Sequence, residues 1–393
     1  MIKLLTFSTL YPSSIRPNHG IFVETRLRHL LKSGHVESHV VAPVPWFPFK
    51  GEYFNDYAKF AQMPYEEIHN GIHILHPRFP LIPKIGMSLA PIFMALSMMS
   101  VIRHMIRNGF DFDIIDAHYF YPDGVAAVIL GEIFNKPVTV TARGTDINLI
   151  PNYSLPRKMI LWAAQRASGV ISVCQFLKDA MVKLGIDVDH IVSLRNGVDL
   201  DMFRPIDRVK CRGELDLKYF TLLSVGRLVE TKGHALIMQA LTAMPDVELL
   251  IIGEGPDRYK LECLAKMLRI ENRVTLLGSI PQADLRRYYG SVDALVLASV
   301  SEGWANVLLE SMACGTPVIA SKVGGTPEIL GIREVGLFLH ERSAKGIVQA
   351  VNELRAHYPD RDATRHYAEQ FSWEATTQGQ LDLFQRILVR KSS

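Results

Sequence analysis

Two glutamates eight residues apart stand in the most informative segment of the sequence, Ser299–Glu310, which reads SVSEGWANVLLE. The segment follows a strand-like apolar run, ALVLAS, and precedes a helical pattern that ends before Gly315, a common helix-stop residue. Glu302 therefore lies in a predicted loop, and residues 304–307 form a predicted first helical turn, whose N–H groups and dipole suit a phosphate. Two carboxylates so placed could meet hydroxyls of a sugar and of a ribose. An isolated pair of this kind would more often be solvated on a helix surface. Only other features of the sequence can show whether these two glutamates bind a ligand.

Along the chain, short apolar runs alternate with helical patterns, and these elements would carry the two glutamates. This alternation is typical of βαβ units and a mainly parallel sheet. It occurs twice, first as IKLLTFS, SHVVAP, FDIIDAH, PVTVTAR, GVISVC and HIVSL, then as FTLLSVG, VELLIIG, RVTLLG, DALVLAS and PVIAS. Runs this uniformly apolar predict strands buried on both faces. We therefore expect an α/β protein with two Rossmann-like domains.

The domain boundaries follow from the turn-rich stretch RNGVDLDMFRP, which separates the two series. At 393 residues the chain is long for one core, since domains usually hold about 100 to 200 residues. We place an N-terminal domain at 1–205 and a second domain at 206–372. The helical pattern QLDLFQRILVRK then predicts a C-terminal helix in 373–393, long enough to return to the first domain.

Composition narrows the class of protein. The chain is 48% hydrophobic and 21% charged, as in an ordinary globular enzyme, and its net charge of +3 predicts no nucleic-acid partner. The four cysteines are scattered, which disfavours a zinc site or a disulfide framework. The first apolar run is too short for a signal peptide, so a cytoplasmic location is expected.

One apolar segment, residues 85–102, reaches the minimum length of a membrane span but contains glycine, proline and three serines. We predict that it does not span. Residues 85–107 are rich in methionine and carry Arg103, His104 and Arg107 at one end, with Lys84 before them. A core or cleft-lining helix is the favoured interpretation, and docking at the inner face of a membrane is the alternative.

The segment SEGWANVLLESMACGTPVIASKVGGTPEIL resembles the donor-site signature of retaining glycosyltransferase family 4, in which Glu302 and Glu310 match the Glu-x7-Glu motif. The resemblance continues through SVGRLVETKGHALIMQAL, IIGEGPDR, LLGSIPQADLRRYYGSVDALVLAS and SLRNGVDLDMFRP, and covers residues 190–340. It implies the GT-B fold, with two Rossmann-like domains facing across a cleft and a C-terminal helix crossing back to the first. The N-terminal domain would bind the acceptor and the second domain the nucleotide-sugar donor.

The resemblance also implies roles for the donor-site residues. Arg227 and Lys232 follow the strand TLLSVG, at the strand ends where open α/β sheets bind ligands, and would neutralise the departing diphosphate. Each alone would more often be a surface cation. Glu310 would bind the ribose and Glu302 a sugar hydroxyl. The other implied donor contacts are Gly303, Trp304, Ala305, Asn306, Val307 and Leu308 for sugar and phosphate, and Gly278 and Ile280 for the base.

Three loops of the first domain complete the predicted site. Gly20 lies where related enzymes place a glycine-rich loop against the diphosphate, although many have two glycines there; a plain strand-to-helix turn is the alternative. His118 and the segment Arg143 to Asp146 end two strands and therefore point into one cleft. Arg143 and Asp146 resemble the family's His-Gly-x-Asp loop, with arginine where many relatives carry histidine. We assign His118, Arg143 and Asp146 to the acceptor side, and His118 also to the catalytic set; a satisfied interior histidine is its alternative.

Metal and dinucleotide signals are weak. The Asp-x-Asp pattern of metal-dependent glycosyltransferases occurs at Asp111 but also at Asp187, Asp199 and Asp360, so it carries little weight. Gly253-Glu254-Gly255 is only part of a dinucleotide fingerprint. We therefore expect no metal and no cofactor.

The function that the resemblance implies is retaining transfer of a sugar from a UDP- or GDP-sugar to a glycan or lipid-linked acceptor, in polysaccharide or cell-envelope synthesis. No residue stands out as a nucleophile, so the leaving phosphate would help to deprotonate the acceptor hydroxyl. Two alternatives stay open. One is a nucleotide-sugar 2-epimerase of the same fold, and the other is a non-catalytic sugar-nucleotide-binding subunit of a polysaccharide assembly complex.

Overall fold

The computed structural model describes residues 1–47, 51, 56–81 and 86–392. It divides into two compact units, one made of Met1–Asn196 with Glu374–Ser393 and the other of Gly197–Trp373. The first division falls earlier than residue 205 because the segment after Asn196 packs on the second unit. Val198 N–H donates to Phe371 O at 2.8 Å, and the ring of Phe203 lies edge-on to Tyr289 with centroids 5.8 Å apart.

The first unit contains an eight-stranded sheet of order β10-β9-β8-β7-β1-β2-β5-β4, parallel except for the β4–β5 pair, and a two-stranded sheet of β3 and β6. The strands are β1 (Ile2–Phe7), β2 (Val36–Val41), β3 (Val44–Pro45), β4 (Glu66–His69), β5 (Ile72–Leu75), β6 (Arg78–Phe79), β7 (Ile114–His118), β8 (Val138–Ala142), β9 (Gly169–Ser172) and β10 (Ile191–Ser193). Its helices up to the division are α1 (Ile21–Lys32), α2 (Asp56–Gln62), α3 (Ala90–Arg107), α4 (Val125–Phe134), α5 (Thr145–Asn148), α6 (Ser154–Arg166) and α7 (Gln175–Leu184).

The second unit contains a six-stranded parallel sheet of order β13-β12-β11-β14-β15-β16. The strands are β11 (Phe220–Val225), β12 (Val247–Ile252), β13 (Val274–Gly278), β14 (Ala294–Leu297), β15 (Val318–Ala320) and β16 (Gly336–Phe338). The helices are α8 (Arg208–Glu214), α9 (His234–Ala240), α10 (Arg258–Leu268), α11 (Gln282–Ser291), α12 (Asn306–Ala313), α13 (Thr326–Ile329), α14 (Ala344–Ala356) and α15 (Arg361–Glu369). Both units are therefore Rossmann-like, as predicted.

The last helix, α16 (Glu374–Ser392), belongs to the first unit. Leu381, Phe384 and Ile387 on α16 join a buried cluster with Leu4 of β1 and Ile114 of β7. The predicted return of the C-terminal helix to the first domain is confirmed, and apolar burial explains it.

All eleven apolar runs of the sequence form strands. The central residues of the strands inside the two sheets are mostly buried, as uniformly apolar runs predict. The edge strands β10 and β13 have only partly buried centres, and Thr275 of β13 is exposed. The missed strands are short or lie at a sheet edge. β4 has the sequence EEIH, whose single apolar residue is too weak a strand signal. It forms a hairpin with β5 through Asn70-Gly71, a turn pair that would have predicted it. β16 has three residues, too few for a periodic signal.

The methionine-rich helix α3 buries one side. Met94, Met98, Ile102 and Met105 are buried, and the helix packs against α4, as the core interpretation requires. Lys84 and Ile85, named above, lie outside the described residues. Among the helices of the described ranges, none is long and apolar enough to cross a membrane.

Candidate active site

The loops that follow β11 and β14 bring Lys232 and Glu302 together in the second unit. The Lys232 ammonium donates to Glu302 Oε1 at 2.6 Å, and both side chains are mostly buried. The loops themselves are joined by Val300 N–H, which donates to Thr231 O at 2.8 Å. Lys232 and Glu302 are 70 positions apart in sequence, and each is predicted to face the donor. The fold brings them into contact at the carboxyl edge of the sheet.

The backbone of Glu302 is fixed by a close approach of the loop before α13. Gly324 has φ of +55°, and a Cβ atom there would lie 1.7 Å from Glu302 O. Only glycine fits this position, because a side chain would displace the loop that carries Glu302. The glutamate is thus presented by a backbone with little freedom to move.

Arg227 follows β11 and is exposed. Its backbone carbonyl lies against the buried side chain of His234. His234 Nε2 lies 3.3 Å from Arg227 O, and His234 Nδ1 lies 3.0 Å from Ser224 Oγ. Since a carbonyl only accepts, Nε2 carries the proton and Nδ1 accepts from the serine. Burial lowers the pKa of His234, which keeps the ring neutral. His234 is a support for the arginine loop that the sequence did not reveal.

Glu310 lies within α12 and is buried, with both carboxylate oxygens hydrogen-bonded. Tyr289 Oη donates to Oε2 at 2.8 Å, and Gln282 Nε2 lies 3.3 Å from Oε1. Burial raises the pKa of Glu310, and the two hydrogen bonds act against that rise. The carboxylate is therefore held in one orientation from the neighbouring helix α11.

Helix α12 begins at Asn306, two residues later than predicted. Asn306 N–H donates to Trp304 O at 3.1 Å, and Leu308 N–H donates to Ala305 O at 3.0 Å. Leu308 is fully buried, and its predicted backbone contact with the donor stays a prediction. Gly303 and Val307 remain partly exposed at the start of the helix.

The predicted base-binding segment consists of Gly278, the last residue of β13, and the start of the loop that follows it. Gly278 O accepts from Gly253 N–H at 2.8 Å, and Ile280 is partly exposed. The segment therefore follows the same carboxyl edge of the sheet as the loops of Lys232 and Glu302.

His118 of the first unit has both ring nitrogens engaged. Arg143 Nη2 donates to Nδ1 at 2.7 Å, and Nε2 lies 3.4 Å from Asp116 Oδ2. Because the guanidinium can only donate, Nδ1 accepts and Nε2 carries the proton. His118 is 1% exposed, and burial, followed by the charge of Arg143, lowers its pKa to about 4. The ring is a neutral support for Arg143, and this geometry does not support a direct catalytic contact of His118.

A chain of buried polar groups continues from His118 to α16. Asp116 Oδ2 accepts from Gln380 Nε2 at 2.9 Å, and Gln380 Oε1 accepts from Arg26 Nε at 2.8 Å. Asp116 Oδ1 also accepts from Thr139 Oγ1 at 2.7 Å. Burial alone would raise the pKa of Asp116, but His118, Thr139 and Arg26 outweigh it and leave the pKa lowered. We call the side chains of Arg26, Gln380, Asp116, His118 and Arg143 the buried polar chain.

Asp146 builds the loop that carries Arg143. Its carboxylate accepts from Gly144 N–H at 2.7 Å, Phe120 N–H at 2.8 Å and Arg143 N–H at 3.0 Å, and it is fully buried. Burial nevertheless raises its pKa. Asp146 is thus positioned to shape the acceptor-side loops, and a direct contact with an acceptor is not supported.

Arg143 is the predicted acceptor-side group that remains partly exposed. Its Nη1 donates to Asn196 Oδ1 at 3.2 Å, and its guanidinium lies 5.1 Å from the centroid of the Phe22 ring. Burial, followed by the charge of Arg26, lowers its pKa to about 9, which leaves it cationic at neutral pH. The structure therefore offers a fixed cation at the end of β8.

Gly20 caps the start of α1 with φ of +70°, and a Cβ atom there would lie 2.3 Å from Leu10 O. The turn after β1 thus requires glycine for packing. The contact of Gly20 with the diphosphate stays a prediction.

Within residues 1–47, 51, 56–81 and 86–392, no group of three or more His, Cys, Asp or Glu side chains is arranged to hold a metal ion.

Comparison with known proteins agrees with this arrangement of two units. The model of glycosyl transferases group 1 matches residues 207–371, and that of glycosyltransferase family 4 matches residues 20–202. TuaC of Bacillus subtilis, which carries the provisional name of teichuronic acid biosynthesis glycosyltransferase, is 28% identical over 357 residues, 89% of this chain and 88% of TuaC.

Solved structures share the fold along the whole chain. Sucrose-phosphate synthase from Thermosynechococcus elongatus superposes with a TM-score of 0.81 at 19% identity, covering 99% of this chain and 100% of that one. HepE of Anabaena, solved in complex with UDP-glucose, superposes with a TM-score of 0.72 at 20% identity, covering 100% of this chain and 99% of that one. The two units therefore have the GT-B fold.

Proposed function

Because this chain belongs to glycosyltransferase family 4, we propose that it transfers a sugar from a nucleotide-diphosphate sugar to a glycan or lipid-linked acceptor with retention at the anomeric carbon. The observation that supports the proposal best is the arrangement in the second unit. The Lys232–Glu302 pair, the exposed Arg227 and the buried Glu310 follow neighbouring strands of one parallel sheet. Ligands of open α/β sheets bind at this edge.

Lys232 and Arg227 would act on the donor diphosphate. As the bond between the anomeric carbon and the phosphate oxygen breaks, negative charge grows on the leaving diphosphate, and two fixed cations stabilise that charge. Glu302 lies 2.6 Å from the Lys232 ammonium and so orients it, and its other oxygen can accept from a sugar hydroxyl. In this proposal the charge is supplied by side chains and no metal is required.

The transfer step needs no nucleophile from the protein. The acceptor hydroxyl oxygen forms the new bond to the anomeric carbon on the face from which the phosphate departs, and its proton passes to the departing phosphate oxygen. The protein contributes position and charge stabilisation. Retention follows because the bond forms on the same face as the one that breaks.

The first unit would meet the acceptor through Arg143. The buried polar chain fixes the guanidinium, and Asp146 fixes the loop that carries it. A fixed cation suits an acceptor that carries a phosphate or carboxylate near the hydroxyl that reacts. This matches a lipid-linked acceptor with a phosphate, and polysaccharide or cell-envelope synthesis in the cytoplasm is the process we propose.

The exposed side of α3 suggests a second property, contact with a membrane. Ile92 and Leu96 are exposed in its first half, Leu96 by 58%, and Arg103 and Arg107 in its second. An apolar stripe that continues into basic residues suits an interface with anionic lipid. Leu96→Glu should reduce flotation with vesicles of phosphatidylglycerol and phosphatidylcholine, whereas Ser100→Ala on the same stripe should not. Equal flotation of both variants and the wild type would refute the contact.

A transfer assay tests the function. The protein is incubated with UDP- and GDP-sugars, with and without glycan and lipid-linked acceptors, and nucleotide release and the product anomer are followed by NMR. We expect release that depends on the acceptor and a product with the donor's anomeric configuration. Release without any acceptor would favour the 2-epimerase, and tight nucleotide binding without turnover would favour the non-catalytic subunit.

A further inference from the structure

We infer that Tyr289 is a positioning residue for the donor, whose hydroxyl orients the carboxylate of Glu310 toward the nucleotide. The inference rests on the proposed function, in which Glu310 accepts hydrogen bonds from the ribose hydroxyls. It concerns a residue outside the Glu-x7-Glu segment and on a different helix, α11.

The geometry makes Tyr289 the main partner of the carboxylate. Its Oη lies 2.8 Å from Glu310 Oε2, whereas Gln282 Nε2 lies 3.3 Å from Oε1. Residues 282 and 289 lie seven positions apart, about two turns, and so lie on the same face of α11. Each carboxylate oxygen accepts about two hydrogen bonds, so one position on each oxygen remains for a ribose hydroxyl.

The tyrosine itself is fixed on several sides. It is fully buried, its ring packs edge-on to Phe203, and its carbonyl accepts from Thr316 Oγ1 at 2.6 Å. Arg361 of α15 donates in turn to Thr316 Oγ1 at 2.6 Å and to Gly290 O at 2.8 Å. The hydroxyl therefore has one position, and Glu310 is oriented by a group that does not move with the ligand.

Electrostatics give the same bond a second effect. Burial raises the pKa of Glu310, and the hydrogen bonds from Tyr289 and Gln282 oppose that rise. A further titratable neighbour is the Cys314 thiol, whose pKa is raised to about 12 by burial and then by Glu310, so it stays neutral. Arg286, Arg361 and Arg365 act on that thiol from the surrounding helices. Removing the tyrosine hydroxyl raises the pKa of Glu310 further, so the carboxylate is protonated at a higher pH.

Tyr289→Phe tests the inference. Tyr288→Phe is the matched control, because it removes a hydroxyl from the neighbouring tyrosine, which is partly buried. Binding of UDP and of GDP is measured by calorimetry between about pH 5 and about pH 8. We expect Tyr289→Phe to weaken binding about tenfold at neutral pH, and more as the pH falls, because a hydrogen bond to a charged group is lost. Tyr288→Phe should bind as the wild type does.

Two further variants keep the test decisive. A Glu310→Gln background has no carboxylate to orient or protonate. In it, Tyr289→Phe should reduce nucleotide affinity less than it does in the wild type, and the effect of Tyr289→Phe should no longer depend on pH. Gln282→Met, which removes the longer bond, should weaken binding less than Tyr289→Phe, and it serves as the test if circular dichroism shows that Tyr289→Phe does not fold.

The outcomes of these measurements distinguish a failure of the role of Tyr289 from a failure of the proposed function. Equal affinity and equal pH dependence of Tyr289→Phe and the wild type would overturn this inference alone. Equal losses in Tyr288→Phe and Tyr289→Phe would also overturn it, because the effect would not depend on the bond to Glu310. A wild-type protein that binds neither nucleotide would refute the proposed function, and this inference with it.

Discussion

Gln380→Leu removes the amide that joins two buried charges in the first unit. Gln380 Oε1 accepts from Arg26 Nε at 2.8 Å, and Gln380 Nε2 donates to Asp116 Oδ2 at 2.9 Å. The three side chains are at most 2% exposed, so water does not readily replace the lost bonds. Leucine keeps the volume of glutamine closely, which isolates the loss of the polar groups from the loss of packing.

The size of the effect follows from the charges. A hydrogen bond to a charged group contributes about 1.5 to 3 kcal/mol, and loss of one partner of a buried charged network costs about 3 to 5 kcal/mol. We therefore expect Gln380→Leu to lower the free energy of unfolding of the first unit by about 3 to 5 kcal/mol.

The assay is hydrogen exchange measured by mass spectrometry in increasing urea, read from peptides of α16 and β7. Gln378→Leu is the control, because Gln378 lies on the same helix and pairs only with the exposed Asp382 at 2.7 Å. It should change stability by less than about 0.5 kcal/mol. Exchange in Gln380→Leu no faster than in Gln378→Leu would refute the view that the buried polar chain supports this unit.

The other predictions concern the metal, the two units and acid stability. Transfer should continue in excess EDTA, because Arg227 and Lys232 supply the positive charge; activity lost in EDTA and restored by manganese would contradict this. Lys232→Ala should lower kcat by about 100-fold or more, since the cation acts most on the charge of the transition state, and steady-state kinetics over a donor titration would measure it. Asp146→Ala should impair transfer but leave calorimetric nucleotide binding nearly unchanged; equal loss of nucleotide affinity would show that the acceptor-side assignment is wrong. His118 has a folded pKa lowered from 6.5 to about 4, so the unfolded chain takes up its proton first and stability falls as the pH drops through this window. In His118→Asn, the free energy of unfolding, measured with urea at a series of pH values, should decline less steeply as the pH is lowered. A decline as steep as in the wild type would contradict a buried neutral ring.

The strands could be predicted, and Glu302 and Glu310 could be singled out as candidate site residues, because their signals are local. An apolar run flanked by turn residues identifies a buried strand, and Glu302 and Glu310 lie in one continuous segment with a distinctive spacing. The C-terminal helix was predicted from its own periodicity. Each of these features depends on residues within a few turns of one another.

The supporting contacts could not be predicted because they join distant parts of the chain. Gln380 meets Asp116 across 264 positions and Arg26 across 354, and no periodic pattern encodes such a pair. The partners of His118 were not predicted either, although they lie closer to it in sequence. Its position after a strand indicated a site residue, whereas the two partners that occupy its ring nitrogens come from the same strand and from the next one.

The central claim, that the second unit binds a nucleoside diphosphate through Lys232 and Glu310, is tested most directly by calorimetric titration with UDP and with GDP in the presence of EDTA. We expect the wild type to bind at least one of them, and Lys232→Ala and Glu310→Ala each to weaken binding by about tenfold or more. Lys260→Ala, a change at an exposed lysine of α10, should have no effect. Unchanged affinity in both Lys232→Ala and Glu310→Ala, or no binding by the wild type, would contradict the account.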